Sequence, residues 1–289
     1  MLGEQTRNTI RGFQRNEITE YHIYRRLADS IKDAHNREVL KSISDDELRH
    51  YGIWKKYTGA DVKPNRFQIL KYYLISRILG LTFGVKLMEK GEEQAQAVYD
   101  KISAEVPEAK TIKTDEDKHE HELISMLDEE KLEYVGSMVL GLNDALVELT
   151  GALAGFTFAL QNPKLVAVTG LITGIAASFS MAASEYLSTK SEGGPKNPLK
   201  ASVYTGTAYV MTVIALILPF LLLNNVYVSL GLTLLIAIAV IFFFTFYISV
   251  AKDIPFKSRF LEMASISLGV ATVTFTIGYL IREFWGIEI

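Results

Sequence analysis

Glu47-Leu48-Arg49-His50 and Glu116-Asp117-Lys118-His119 repeat one spacing on two stretches of helical periodicity. A Glu and a His three residues apart share one face of a helix. The spacing predicts that these pairs lie on the second and fourth long helices of the N-terminal half. Acids fall on the other two: Glu17 on the first, and Glu89-x-x-Glu92 on the third. Four helices that aim such groups inward form the ligand set of a bundle holding two iron or manganese ions. Carboxylate oxygen and imidazole nitrogen suit Fe2+ and Mn2+, and bridging carboxylates hold two ions together. The expected set is Glu17, Glu47, His50, Glu89, Glu92, Glu116 and His119. Glu20, one turn from Glu17, is an additional candidate, and Glu93 is an alternative to Glu92. One such match on a charged helix arises often by chance, whereas two on the right helices do not. Glu120 and His121 lie off the Glu116/His119 face, and His22 and His35 read as structural or exposed.

Apolar periodicity through Ile18, Tyr21, Tyr24, Leu27 and Ile31 predicts a first helix over about 8–36. A second follows over about 38–57 and ends at Thr58-Gly59. Residues 60–65, with Pro64, read as the crossover between the second and third helices. The third is expected to run unbroken over 66–105 and to stop at Pro107. The fourth is expected from about Thr114, continuing through Leu127–Glu133 towards the second half. Residues 69–88 are apolar enough to imitate a membrane span. Lys71, Arg77 and Lys86 argue against one, since each costs about 2.5–3.5 kcal/mol at mid-bilayer. Packing in the bundle, against a partner subunit or on the membrane surface is expected instead.

Charge concentrates before residue 134 and apolar runs after it, which reconciles 22% charged with 49% hydrophobic residues. A net charge of -3 without a basic stripe gives no argument for nucleic acid, and no nucleic-acid partner is expected. The absence of cysteine excludes disulfides, thiolate zinc sites, a rubredoxin-type iron centre and cysteine nucleophiles. No apolar signal segment opens the chain, so the first half is expected to stay where it is made.

Five stretches after Tyr134, about 135–160, 165–188, 200–223, 226–250 and 260–283, are long enough to span the bilayer. The loops after the second and fourth carry Lys190, Lys196, Lys200, Lys252, Lys257 and Arg259, against Lys164 and Arg282 on the other side. The positive-inside rule then places the N-terminal half in the cytosol and the C-terminus outside, in the cell membrane. Acids inside spans are expensive and signal function. Asp144 and Glu148 are one turn apart in the first span, as are Met181 and Glu185 in the second. They form a ladder of oxygen donors with one thioether, which disfavours Ca2+ and Mg2+. Glu262 lies beside Arg259, where an ion pair and a transport role are equally expected. Gly151-x-x-x-Gly155 and Gly170-x-x-x-Gly174 permit close helix approach, in tight packing or a dimer.

Two resemblances follow. Glu17-Ile-Thr-Glu-Tyr-His-Ile-Tyr24-Arg-Arg-Leu-Ala28, with Asp117-Lys-His119-Glu, resembles the rubrerythrin branch of the ferritin-like superfamily. That resemblance implies two iron (or manganese) ions on the seven residues above. The rubredoxin module usual in rubrerythrins is missing. Gly141-Leu-Asn-Asp144-Ala-Leu-Val and Ser180-Met181-Ala-Ala-Ser-Glu185-Tyr resemble the vacuolar iron transporter family, proton-coupled exporters of Fe2+ and Mn2+ that form dimers of five-span subunits. The resemblance implies path ligands at Asp144 and Met181, with Glu185 close by. Plant members carry a Glu-rich helical domain between spans two and three, where this chain has only residues 188–200.

The sequence therefore predicts an all-α chain: a ferritin-like four-helix bundle over 1–133 and a five-helix transmembrane domain over 134–289. Its expected function is export of Fe2+, or Mn2+, by proton antiport as a homodimer, with the bundle capturing or sensing metal. The competing expectation is a membrane-anchored di-iron ferroxidase or peroxide-scavenging enzyme.

Overall fold

The structure, a computed structural model, describes residues 3–103, 105–125 and 134–285, with side chains at all of these except 89, 91–97, 100, 101, 120, 124, 125 and 285. Every regular element among the described residues is a helix. The chain divides into two compact units, Met1–Glu129 and Glu130–Ile289.

The first unit holds α1 (Glu4–Ser30), α2 (Ala34–Thr58), α3 (Arg66–Leu79), α4 (Leu81–Ile102) and α5 (Ala109–Ser125). Local chemistry sets the ends. Asp33 accepts from the Asn36 amide at the start of α2, and Gly59 ends it in the left-handed region at φ 68°. Asn65 caps α3 by accepting from the Phe67 and Gln68 amides.

The single helix expected over 66–105 is two helices. Gly80 stands between them at φ 106° and ψ 148°, a backbone region open almost only to glycine. The chain doubles back there, and Ser76 of α3 packs directly on Gly84 of α4, where an added Cβ would lie 1.9 Å from Ser76 Oγ. The fourth helix begins at Ala109 rather than Thr114. Its expected continuation through Leu127–Glu133 lies outside the described residues.

α1, α2, α4 and α5 enclose two apolar layers. One joins Ile23, Tyr24 and Leu27 to Leu40, Ile43, Val85, Met88 and Leu123. The other joins Ile10 and Phe13 to Trp54, Tyr99, Ile102 and Ile112. Between these layers, α1 carries Glu17, α2 carries Glu47 and His50, and α5 carries Glu116 and His119, all buried. α3 stands outside this set and packs Ile69, Tyr72 and Tyr73 on the first layer.

The second unit holds five helices long and apolar enough to cross a membrane. They are α6 (Val135–Leu160), α7 (Pro163–Glu192), α8 (Pro198–Leu222), α9 (Val226–Lys252) and α10 (Phe256–Trp285). Asn162, Asn197 and Asn225 each cap the following helix, and proline occupies the first helical position in α7 and α8. Span α6 is central and touches each of the other four. Gly155 faces α10, where the Thr274 carbonyl oxygen stands 3.1 Å from where a Cβ would be. Gly170 faces Leu153 and Gly174 faces Val213. Both small-residue motifs thus serve close packing within one subunit.

Residues 145–149 of α6 form a π-helical turn between Asp144 and Thr150. Such a turn leaves backbone carbonyls without their usual partners, and Ser267 Oγ of α10 donates to the Leu146 carbonyl at 2.8 Å.

The break at Gly80 gives a stability test. Replacing Gly80 with alanine forces a side chain into the glycine-only region and is expected to cost about 1–3 kcal/mol. Chemical unfolding followed through the fluorescence of Trp54, which is fully buried, checks this. An unchanged midpoint would show that the α3–α4 turn tolerates a helical conformation.

Candidate metal centre and transmembrane acids

Metal-ligating atoms of Glu17, Glu47, His50 and Glu116 all lie within 4.8 Å of one another. His50 Nδ1 stands 3.2 Å from Glu116 Oε1, 3.6 Å from Glu17 Oε2 and 3.7 Å from Glu47 Oε2. His119 Nδ1 stands 3.3 Å from Glu47 Oε1 and 3.5 Å from Glu116 Oε2. Helices α1, α2 and α5 thus bring five of the sequence-predicted residues together. Glu20 is not in the cluster and lines a pocket of about 130 Å³ with Asn16, Thr19, Gln68, Tyr72 and Met88. Positions 89 and 92 fall on α4 between Met88 and Tyr99, one from each apolar layer, but the Glu89 and Glu92 side chains lie outside the described residues. Among the other histidines, His22 and His35 are exposed, and His121 pairs with the Asp117 carbonyl on the surface.

The sequence reading missed the groups behind the imidazoles. His50 Nε2 faces Asp115 Oδ2 at 3.2 Å, and His119 Nε2 faces Asp46 Oδ2 at 3.1 Å. Each Asp immediately precedes the ligand Glu of the other motif, so the two segments brace each other's histidine. Arg49 joins both Asp residues, at 2.7 Å to Asp46 and 3.0 Å to Asp115. A carboxylate at Nε2 holds the proton there and aims the Nδ1 lone pair inward, as metal-binding histidines require. The signal was present as Asp46-Glu47-x-x-His50 and Asp115-Glu116-x-x-His119.

Glu47 Oε2, His50 Nδ1 and His119 Nδ1 are buried and lack hydrogen-bond partners. Buried polar atoms are almost always satisfied. These open atoms line the Glu17, Glu47, His50 and Glu116 cluster and the adjoining His119, a donor set of oxygen and nitrogen that could hold iron or manganese. Glu17 is anchored from behind, since the Trp54 indole donates to its Oε1 at 2.8 Å and the Tyr99 hydroxyl lies at 3.4 Å.

The electrostatics of the metal-free site agree with this chemistry. Burial pushes the Glu17 carboxyl well above its usual range, helped by the Glu47 charge and opposed by His50. Burial alone would raise Glu47 too, but His119, His50 and Glu17 hold it down to about 2. Burial opposes the His119 imidazolium, yet Glu116 and Glu47 raise it to about 11. His50 is likewise raised, against its burial, by Glu116, Glu17 and Glu47. Protons therefore occupy the imidazoles where a metal would bind, and a cation has to displace them.

In the membrane unit, Tyr209 of α8 is fully buried; its hydroxyl donates to Glu148 Oε2 at 3.2 Å and lies beside Asp144. Sequence reading missed Tyr209 because nothing marks one tyrosine in an apolar span. Asp144, just before the π turn, is half-buried, and Glu148, within the turn, is exposed on the subunit. Glu185 accepts from Ser137 Oγ of α6 and, at 3.5 Å, from Thr189 Oγ1. Met181 is partly buried against the apolar core of this unit. Glu262 pairs with Arg259 at 3.1 Å on an exposed face.

The linkage sign for the metal-free bundle follows from these shifts. The raised His119, about 11 against 6.5, contributes stability fully present below pH 6.5 and lost as pH rises through about 11. The raised Glu17 is lost in the same direction. The depressed Glu47, about 2 against 4.5, contributes stability present above pH 4.5 and lost as pH falls through about 2. Melting of the chelator-treated protein is expected to peak between these limits, and a steady rise to pH 9 would contradict the assignment. Asp46→Asn and Asp115→Asn should each weaken divalent-metal affinity by about 10–100-fold by calorimetric titration.

No curated protein and no solved structure matches the chain. The model of the VIT family matches residues 135–194, the stretch that contains Asp144, Glu148, Met181 and Glu185. Residues 135–194, which form two of the apolar helices, are similar to the VIT family.

Proposed function

We propose that this protein exports Fe2+, or Mn2+, from the cytosol in exchange for protons. The VIT family match suggests a membrane transporter of iron or manganese, and five membrane-capable helices suggest a multi-pass protein. The observation that carries the finer reading is where the acids lie. Asp144, Glu148 and Glu185 sit on the two matched spans, where a helix that only anchors has no use for them. A carboxylate that releases a divalent ion can take up a proton in its place, so the ligands of the ion also return the protons. Met181 adds a thioether, which favours Fe2+ or Mn2+ over Ca2+ and Mg2+. Tyr209 orients Glu148 beside Asp144.

The protein is proposed to work as a homodimer in the cell membrane, with its N-terminal unit cytosolic and its C-terminus outside. The loop charges support the orientation. The exposure of Glu148 supports a second subunit or a water-filled path over this face, since an acid facing lipid at mid-span costs about 2.5–3.5 kcal/mol.

The N-terminal unit is proposed to be a ferritin-like domain that captures or senses metal at Glu17, Glu47, His50, Glu116 and His119, with Glu89 and Glu92 completing a site for two ions. Bound iron would supply redox chemistry there. The residues themselves hold the cations, aim both Nδ1 atoms inward and exclude water. A second reading, a ferroxidase or peroxide scavenger, is favoured by the aromatic contacts of Trp54 and Tyr99 with Glu17. Oxidation to Fe3+ opposes export of Fe2+, so capture is the reading adopted.

Uptake of Fe2+ or Mn2+ into inverted membrane vesicles should require an inward-acid proton gradient. Asp144→Ala and Met181→Ala should each reduce it at least tenfold, a loss of about 1.4 kcal/mol in effective binding. Unchanged flux in both variants would sink the transport mechanism. Glu47→Ala with His50→Ala should separately remove the bundle's bound metal, measured by elemental analysis; retained metal would contradict this ligand set.

A further inference from the structure

Neither metal binding nor the bundle core explains the outer face of helix α3. Its inner face packs Ile69, Tyr72 and Tyr73 on the core, with Arg26 4.2 Å over the Tyr73 ring. Its outer face is apolar and uncovered: Phe67 is 75% exposed, Leu70 47%, Leu74 45% and Ile78 70%. At 100° per residue these four fall within an arc of about 80°. Exposed cations flank the stripe, with Lys71 on one side and Arg66 and Arg77 on the other. Residues 62–79 contain no acid at all and include a fourth cation, Lys63.

We infer that α3 lies flat in the headgroup layer of an anionic leaflet, with Phe67, Leu70, Leu74 and Ile78 inserted and Lys63, Arg66, Lys71 and Arg77 on lipid phosphates. An apolar stripe bordered by lysine and arginine is the pattern of a helix held in the interface plane. The aliphatic stems of the cations extend the apolar surface while their heads reach the phosphates. Charge selects this occupant over a second copy of α3, because a two-fold contact would set cations against cations. A cytoplasmic leaflet carries the complementary negative potential. The inference rests on residues 135–285 crossing a bilayer, which keeps a leaflet within reach of α3, but it does not depend on what the spans transport.

The chain contains no cysteine, so single cysteines at Phe67, Leu74 and Ile78, and a control at the exposed Glu38 of α2, take one nitroxide each. The full chain is reconstituted in vesicles of phosphatidylglycerol and phosphatidylcholine, or of phosphatidylcholine alone. At the three α3 positions the anionic vesicles should raise collisions with oxygen and lower those with a water-soluble nickel chelate several-fold, while Glu38→Cys does not change. Lys71→Glu with Arg77→Glu should remove the effect. Three results would overturn the proposal: collision rates matching those at Glu38→Cys, low access to oxygen and nickel together, or spin–spin broadening relieved by unlabelled chain. The last two mean burial in protein, the last in a second copy. If that charge reversal unfolds the bundle, the lipid comparison in the labelled parent still decides. Protein released from vesicles by carbonate would mean instead that the spans were misread.

Discussion

Two histidines and three glutamates buried between apolar layers, with Glu47 Oε2, His50 Nδ1 and His119 Nδ1 unsatisfied, are the constraint on which the N-terminal unit is organised. Such a layer is unstable unless each group is braced or bound. Bracing is visible: Asp46 and Asp115 hold the imidazoles crosswise, Arg49 joins the two Asp residues, and Trp54 holds Glu17. What remains open are Glu47 Oε2, His50 Nδ1 and His119 Nδ1. The layers around it, anchored by Trp54 and Tyr24, keep water out and fix the helices that carry the ligands. Fold and site are therefore one arrangement.

The membrane unit has a parallel logic in a different solvent. Its first span touches the other four and carries a π turn beside the acids Asp144 and Glu148. In hydrocarbon every freed carbonyl needs a partner, and Ser267 supplies one to Leu146. Glycines at 151, 155, 170 and 174 let neighbouring helices approach closely enough to hold that irregular turn. Polar side chains then position the acids: Tyr209 and Ser137 from neighbouring spans at Glu148 and Glu185, and Thr189 one turn along the same span at Glu185.

Much of this was legible in the sequence. The five apolar helices follow from apolar length alone, and the ExxH spacing found four of the five clustered residues because helical periodicity fixes which side chains share a face. Glu17 could be located only to within one turn, since Glu20 sits on nearly the same face; the three-dimensional packing of α1 separates them. The break at Gly80 was missed because a single glycine inside a long periodic segment is tolerated as often as it ends a helix. With that break, α3 left the bundle and its apolar face became a surface. The crossed Asp–His pairs, the π turn and Tyr209 were illegible for one shared reason: each is a contact between helices, and periodicity reports only on one helix at a time.

Anomalous X-ray scattering from the full-length protein loaded with Mn2+ in lipid tests the account most directly. The account predicts density among Glu17, Glu47, His50, Glu116 and His119, and separate density beside Asp144 and Met181 in the membrane unit. Metal in the N-terminal site with none along the first two spans at saturating Mn2+ would contradict it, leaving a tethered metal-binding bundle with no path through the membrane.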